Sequence, residues 1–227
     1  LDLPIGEYKM VVSGAQNEIT NLAWYAAAGD ASAIVSNDAA YADIVGDGPI
    51  TNDTAELILN LETEGNTLSR TAGVSVASNP GYIDTLIQFT PSEDEPTIDT
   101  SDVKVALYVN AMSNLVVVHS MFVDPSTGDY SVIETNSVIA AIDPDAWYRL
   151  SMKVVTDAGE TFTQIYLDGV LITHPNAFEL DPGTSNGGSD FRSIEAGVPT
   201  INLISFQGTG LLDELVISDE MPNFGVP

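Results

Sequence analysis

Carboxylates are the most abundant groups in this chain that could do chemistry, because 33 of its 227 residues are Asp or Glu. Hydrolysis of a glycosidic bond needs two of them on a rigid element, one on each side of the bond. The closest suitable spacing, at residues 179–181 (ELD), runs directly into a Pro-Gly pair, which indicates a turn. The acidic run at 93–95 lies in a polar stretch just after a proline. Neither set predicts a catalytic pair.

The two histidines stand apart from each other and from any nucleophile motif. His119 follows the apolar run 116–118, and His174 precedes a proline in a polar segment. A single histidine in an apolar strand is typical of a hydrogen-bonded structural residue, and His174 is expected to be exposed. The chain has no Cys, no G-x-S-x-G elbow, no H-E-x-x-H pair and no phosphate-binding glycine loop. We therefore expect no catalytic residues and a protein that binds a partner without transforming it.

The charge of the chain excludes several classes of partner. Six basic residues against 33 acidic ones give a formal charge of −27 at pH 7. Such a surface repels nucleic acid and anionic lipid, because both are bound through clusters of Lys and Arg. No apolar run approaches the roughly 18 residues that a membrane span needs, so no membrane insertion is expected. A saline or calcium-rich exterior would relieve the self-repulsion, which favours a secreted or cell-surface location.

Two-residue alternation of apolar and polar side chains recurs along the chain and predicts an all-β fold. In one run Val103, Val105, Leu107 and Val109 alternate with more polar residues, and Leu150, Met152 and Val154 do the same in another. Short β-type runs at regular intervals are typical of two packed antiparallel sheets. Asp168-Gly169 between two such runs predicts a tight hairpin. Further predicted strands are 8–13, 55–61, 74–77, 82–89, 115–121, 130–134, 162–167, 170–173, 201–206, 211–218 and two short strands around residues 29–30.

No Pro- or Ser-rich linker and no fixed-period repeat divides the sequence. We therefore predict one β-sandwich domain over residues 1–227, with 221–227 as the start of a linker to a larger chain. As an isolated domain it is expected to be a monomer.

Three stretches, in this order, resemble the LamG-like, concanavalin A-like jelly-roll superfamily of lectins and glucanases. Residues 147–150 (WYRL) are similar to its strand that begins with Trp, residues 164–172 (QIYLDGVLI) to its hairpin with a central Asp-Gly, and residues 210–218 (GLLDELVIS) to its last strand. The resemblance covers about residues 82–218, and it implies a two-sheet jelly roll with Trp147 in the core. The superfamily includes lectins, hydrolases, lyases and structural modules, so it does not by itself imply one function.

The same resemblance implies a structural calcium ion. In the superfamily an Asp that opens the last strand binds it together with oxygens from an N-terminal segment, which here would be Asp213 with Asp38, Asp43 or Asp47. Calcium prefers six to eight oxygen ligands, and the chain supplies many carboxylates. An alternative is that Asp213 caps its strand or binds a backbone amide.

Sugar binding requires an aromatic face for the C–H surface of the sugar and polar groups for its hydroxyls. Tyr108 lies on the polar side of its predicted strand and is the first candidate for an exposed platform. Trp24, Tyr25 and Phe191 are further aromatic candidates, and Asn186 lies in a polar loop that could form the rim of a site. Packing alone is the alternative explanation for Tyr108.

These expectations combine into a non-catalytic carbohydrate-binding or adhesion module of a secreted or cell-surface bacterial protein. Its partner would be a polysaccharide or other glycan with neutral or weakly charged units. The alternatives are a structural spacer domain of a large surface protein, and a polysaccharide lyase or glycoside hydrolase with an unfamiliar site.

Overall fold

The computed structural model describes residues 24–27, 33–36, 57–61, 67–89, 91, 105–123, 131–144, 146–180, 187–194, 200–207 and 210–219. All of its regular secondary structure there is β-strand. The strands are β1 (Trp24–Ala27), β2 (Ala33–Ser36), β3 (Leu57–Leu61), β4 (Thr67–Ser75), β5 (Gly81–Phe89), β6 (Ala106–Val109), β7 (Asn114–Val123), β8 (Ser131–Ala141), β9 (Tyr148–Asp157), β10 (Glu160–Leu167), β11 (Val170–Leu171), β12 (Phe191–Arg192), β13 (Thr200–Gln207) and β14 (Gly210–Ser218). Within those ranges, no helix has the length and apolar character needed to cross a membrane.

The strands form two sheets, and the strand pairs are antiparallel. The smaller sheet has the order β1-β4-β13. The larger sheet has the order β2-β3-β14-β5-β9-β10-β12-β7-β6, with β11 paired to β10 and β8 paired to β7. The predicted antiparallel all-β fold is therefore confirmed.

The two sheets pack face to face through a shared apolar cluster. Ile201 and Ile204 of β13 contribute to it from the smaller sheet, and Ile83 of β5 and Val154 of β9 contribute from the larger one. Each of these side chains is at least 91% buried. Burial of each such side chain stabilises the fold by roughly 1.5–3 kcal/mol. Two antiparallel sheets that pack through a common apolar core form a β-sandwich.

The larger sheet also folds back on itself. In the strand order β5 and β7 are separated by β9, β10 and β12, yet Ile87 of β5 and Val117 of β7 share one cluster with Leu150 and Ile165. Side chains on one sheet can meet in this way only if the sheet curves until two parts of the same face oppose each other. The β6-β7-β8 part therefore packs over the β5-β9-β10 part.

The short strand β12 makes the connection between these two parts. Its Arg192 pairs with Phe162 of β10 on one side and with Ser120 of β7 on the other. The Arg192 guanidinium donates to both Glu160 oxygens at 2.7 Å and to Ser120 Oγ at 2.9 Å. This bidentate, charge-assisted contact compensates for a backbone pairing that is only two residues long.

The alternation predicted the core positions well. Leu150 is 5% exposed, Val154 4% and Val109 4%, and Leu107 packs against the same core. Lys153 lies on the opposite face of β9, as the pattern requires. Val103 and the predicted strand 8–13 lie outside the described residues.

The structure can be compared with two predictions about turns, the hairpin at Asp168-Gly169 and the pair of strands around residues 29–30. Asp168 and Gly169 both have positive φ, 50° and 75°, and they join Leu167 to Val170 in a two-residue hairpin, which confirms the prediction. The two short strands around residues 29–30 are also present as β1 and β2. They join different sheets, however, because β1 pairs with β4 and β2 pairs with β3.

Candidate functional site

Tyr108 lies on the β6-β7-β8 part of the larger sheet. It pairs with Val116, which in turn pairs with Val138, and it faces away from the core that its neighbour Leu107 enters. Tyr108 is half-buried, and Val138 is 50% exposed. The predicted outward direction of Tyr108 therefore agrees with the strand register, while its role in binding stays a prediction.

The other predicted sugar-binding residues are distributed over the molecule. Trp24 and Tyr25 lie on β1, where they pair with Arg70 and Ser69, and only their backbone is described. Phe191 is 0% exposed and packs edge-on against His119 at 5.1 Å. Its ring belongs to the core and presents no face to a ligand, which corrects the expectation of a surface role.

The remaining predictions concern residues that the structure covers only in part. Asn186, Asp38, Asp43 and Asp47 lie outside the described residues. Asp213 lies on β14 opposite Leu86, and only its backbone is described. In the described part of the chain, no three His, Cys, Asp or Glu side chains gather as a metal site. The calcium ion thus stays a prediction.

Both histidines have structural surroundings. The His119 side chain is 0% exposed, its Nδ1–H donates to the Ser120 carbonyl at 3.1 Å, and its Nε2 accepts from Ser137 Oγ at 2.9 Å. Burial lowers the pKa of His119, and nearby His174 lowers it further. His174 is half-buried, whereas the sequence suggested exposure, and its Nδ1 accepts from the Asn176 amide. Trp147, predicted to be in the core, is also half-buried.

A different group of polar and aromatic side chains lies on the face of β5, β9 and β10 that points away from the core. Alternation determines this face, because Ile83, Met152 and Ile165 of the same strands enter the core. Cross-strand pairing places Tyr82 beside Lys153 and Lys153 beside Gln164. We call this surface the outer face; its members are Tyr82, Asp84, Arg149, Ser151, Lys153, Gln164 and Tyr166, with Asp190 next to Gln164.

A buried carboxylate anchors the centre of the outer face. Asp84 is 1% exposed and accepts from the Arg149 guanidinium through Oδ2 and from Ser151 Oγ through Oδ1. Arg149 is itself only 17% exposed. A buried carboxylate is tolerated when charge and hydrogen bonds compensate it, and these two donors do so. The pair also fixes β5 against β9 in one register.

A second hydrogen-bonded set covers β10. Gln164 Nε2 donates to Asp190 Oδ1 at 2.9 Å, and the Tyr166 hydroxyl donates to Gln164 Oε1 at 3.2 Å. Burial raises the pKa of Tyr166, and the nearby Tyr82 and Asp190 add to the effect. Tyr166 therefore stays a protonated hydrogen-bond donor at neutral pH. Tyr166 is half-buried, whereas Tyr82, on the other side of β9, is only 7% exposed.

The segment 174–180 forms a wall beside the outer face. Phe178 packs edge-on against Phe162 at 5.7 Å and pairs with Asp190, whose Oδ2 also accepts from the Leu180 amide at 3.1 Å. Gly188 permits this approach, because a Cβ there would lie 1.9 Å from the Phe178 carbonyl oxygen. Residues 187–190 are the described end of the polar loop that contains Asn186, and they hold Asp190 in a fixed position.

The outer face differs in charge from the chain as a whole. Three of the six basic residues, Arg149, Lys153 and Arg192, project to this side of the β9-β10-β12 array. In its central part, Arg149 and Lys153 balance Asp84 and Asp190, although the complete chain carries −27. The alternation of β9 already indicated that Arg149 and Lys153 share a face. Nothing in the sequence showed which residues of β5 and β10 would lie beside them.

A comparison of the chain with protein-family models finds no match, and a comparison with curated proteins likewise finds none. The resemblance to the jelly-roll superfamily therefore depends on the three stretches quoted above. The site has to be interpreted from its own chemistry.

Proposed function

We propose that this chain is a non-catalytic carbohydrate-binding module that binds a glycan on the outer face. The observation that carries the proposal is the half-buried Tyr166 beside the fixed polar groups of Gln164 and Lys153 on the neighbouring positions of β10 and β9. A tyrosine ring offers an apolar surface to sugar C–H groups, and amide, carboxylate and guanidinium groups hydrogen-bond sugar hydroxyls. Gln164 is held in place by its contacts with the buried Asp190 and with Tyr166, so little side-chain entropy is lost on binding.

The local charge supports glycans with neutral or weakly charged units. Opposite charges balance in the central part of the outer face, so a neutral sugar meets no strong local field. A polyanion would in addition approach a molecule with a charge of −27. We therefore expect repulsion of densely sulfated or uronate-rich chains.

The contacts of the acidic and aromatic groups support binding over catalysis. A lyase needs a base that abstracts a proton, and the raised pKa of Tyr166 disfavours its phenolate. A hydrolase needs a carboxylic acid and a free carboxylate, whereas Asp84 and Asp190 are both occupied by donors. His119 is 0% exposed and packs against the equally buried Phe191, so its ring is not available to a ligand on the surface.

This function would place the chain on a cell surface or among secreted proteins, as a module of adhesion or polysaccharide capture. A structural spacer is the competing proposal, and it requires no ligand at the outer face. A lyase or hydrolase would bind a glycan and also shorten it. These three functions differ in what happens to a glycan that is added to the protein.

The test is a glycan array with neutral and acidic members, followed by incubation of each hit with the protein and chromatography of the products. The proposal expects binding without shortening of the glycan. Tyr166→Ala should weaken binding by about 1–3 kcal/mol if its ring is a stacking anchor. Tyr108→Ala serves as the matched variant, because Tyr108 lies on the β6-β7-β8 part of the sheet.

Loss of binding in Tyr108→Ala but not in Tyr166→Ala, with both variants folded, would move the site to the β6-β7-β8 surface. Shortened glycans would favour an enzyme. Absence of binding to every glycan would favour the structural spacer.

A further inference from the structure

We propose that Lys153 is a recognition site for one anionic group of the glycan, a carboxylate or a sulfate ester. This inference rests on the proposed glycan-binding function and specifies the ligand further. It predicts a sugar chain in which single acidic units stand among neutral ones.

The first observation is the position of Lys153. It lies on the middle strand of the outer face, directly between Tyr82 of β5 and Gln164 of β10. A ligand that contacts Tyr166 and Gln164 on β10 also reaches the adjacent strand β9, where Lys153 pairs with Gln164 and its side chain is half-buried. The Lys153 ammonium is thus within the area that the ligand would cover.

The second observation is the state of the neighbouring charges. Arg149 is paired with Asp84, and Arg192 is paired with Glu160. In the part of the chain that the structure describes, the Lys153 ammonium forms neither an ion pair nor a hydrogen bond. The nearby carboxylate of Asp190 is taken up by Gln164 and the Leu180 amide. Since none of the described carboxylates binds the half-buried Lys153 ammonium, it retains its capacity for an external anion.

The total charge decides how many anionic groups the ligand carries. Attraction to Lys153 acts at contact distance, whereas the repulsion by the rest of the chain is spread over the surface and is screened beyond about 8 Å at physiological ionic strength. One acidic group therefore gains more from Lys153 than it loses to the distant carboxylates. Each additional acidic group gains no further cation and adds repulsion.

Three oligosaccharides built on the strongest array hit test the inference. One is neutral, one carries a single uronate in place of a neutral unit, and one carries a single sulfate ester. Wild-type protein should bind at least one acidic form about tenfold more tightly than the neutral form, since a hydrogen bond to a charged group is worth about one such factor. The comparison of the two acidic forms identifies the anion.

Three variants assign the preference to Lys153. Lys153→Met should bind all three sugars with equal affinity, and Lys153→Arg should keep the preference. Lys104→Met removes the same charge at another position and should also keep it. Equal binding of neutral and acidic forms by wild-type protein would overturn the inference and leave the proposed function intact, as would an unchanged preference in folded Lys153→Met. Failure of every sugar to bind would overturn the proposed function as well.

Discussion

At the scale of single residues, His119 shows how the core restricts charge. Its ring is enclosed by Phe191 and by the β7-β8 pair, and both ring nitrogens have partners suited to the neutral form: a carbonyl for Nδ1–H and a hydroxyl for Nε2. Protonation would leave Ser137 unable to donate to Nε2. The resulting lowered pKa has a consequence for stability.

Because the folded state binds the proton less well than the unfolded chain, stability should fall as the pH decreases below about 6.5, where unfolded histidines begin to protonate. His174 contributes in the same direction, since burial lowers its pKa too. Urea unfolding of His174→Gln between about pH 7.5 and 5 isolates His119, and NMR titration of the ring reports its pKa directly. Stability that rises on acidification, or a His119 that titrates above 6.5, would contradict this account.

The sequence predicted the surroundings of some single residues correctly and those of others wrongly or not at all. The prediction that His119 is a hydrogen-bonded residue of a strand agrees with its contacts, because the apolar run 116–118 before it indicated burial. The surface position predicted for Phe191 was wrong, because the polar loop before it concealed that the chain enters the core at Phe191, the first residue of β12. The hydrogen bond between Tyr166 and Gln164 was not predicted, because the sequence signal of their hairpin concerns the turn alone.

At the scale of elements, two tight hairpins hold β10 in register. One is the Asp168-Gly169 turn, and the other joins β9 to β10 through Ala158 and Gly159, with φ of 48° and 85°. Positive φ at both positions is the geometry of a two-residue hairpin turn, and Asn-Gly fits it far better than Ala-Gly. A left-handed conformation costs an alanine roughly 1–2 kcal/mol. The sequence pattern did not predict this turn, since Ala is not a turn residue.

Ala158→Asn should therefore stabilise the protein by about 0.5–1 kcal/mol, because Asn tolerates the left-handed conformation and bonds locally to the backbone. Ala158 is exposed, so the new side chain displaces nothing. Gly159→Ala is the opposite control: its Cβ would meet nothing within 4 Å, and the expected loss of about 1 kcal/mol is purely conformational. Equal unfolding midpoints for Ala158→Asn and wild type would show that the turn is not strained.

At the scale of the whole molecule, apolar alternation was sufficient to predict an antiparallel β-sandwich, because a sheet that packs on one side must alternate. The order of strands was not predictable. The joining of β12 to β7, for example, depends on the single pair Arg192 and Ser120 and on the side-chain contacts around it. No local pattern encodes a contact over 72 residues.

The charge of −27 remains the dominant property of the molecule, and the predicted calcium ion would reduce it. If an ion binds the folded state through Asp213, it adds about 2.7 kcal/mol of stability at a concentration 100 times its Kd. Thorough chelation should then lower the Tm, and Asp213→Asn should remove the response to chelator. Asp157→Asn, at the exposed end of β9, is the matched control and should keep the response. An unchanged Tm after chelation would contradict a structural calcium ion.

The most direct measurement for the central claim is the mapping of amide chemical-shift changes when the strongest array hit is added to labelled protein. The account predicts that the changes cluster on β5, β9 and β10, around Tyr82, Lys153, Gln164 and Tyr166, and that they saturate with a single Kd. A cluster around Tyr108 and Val138, or no change at saturating sugar, would contradict a glycan site on the outer face.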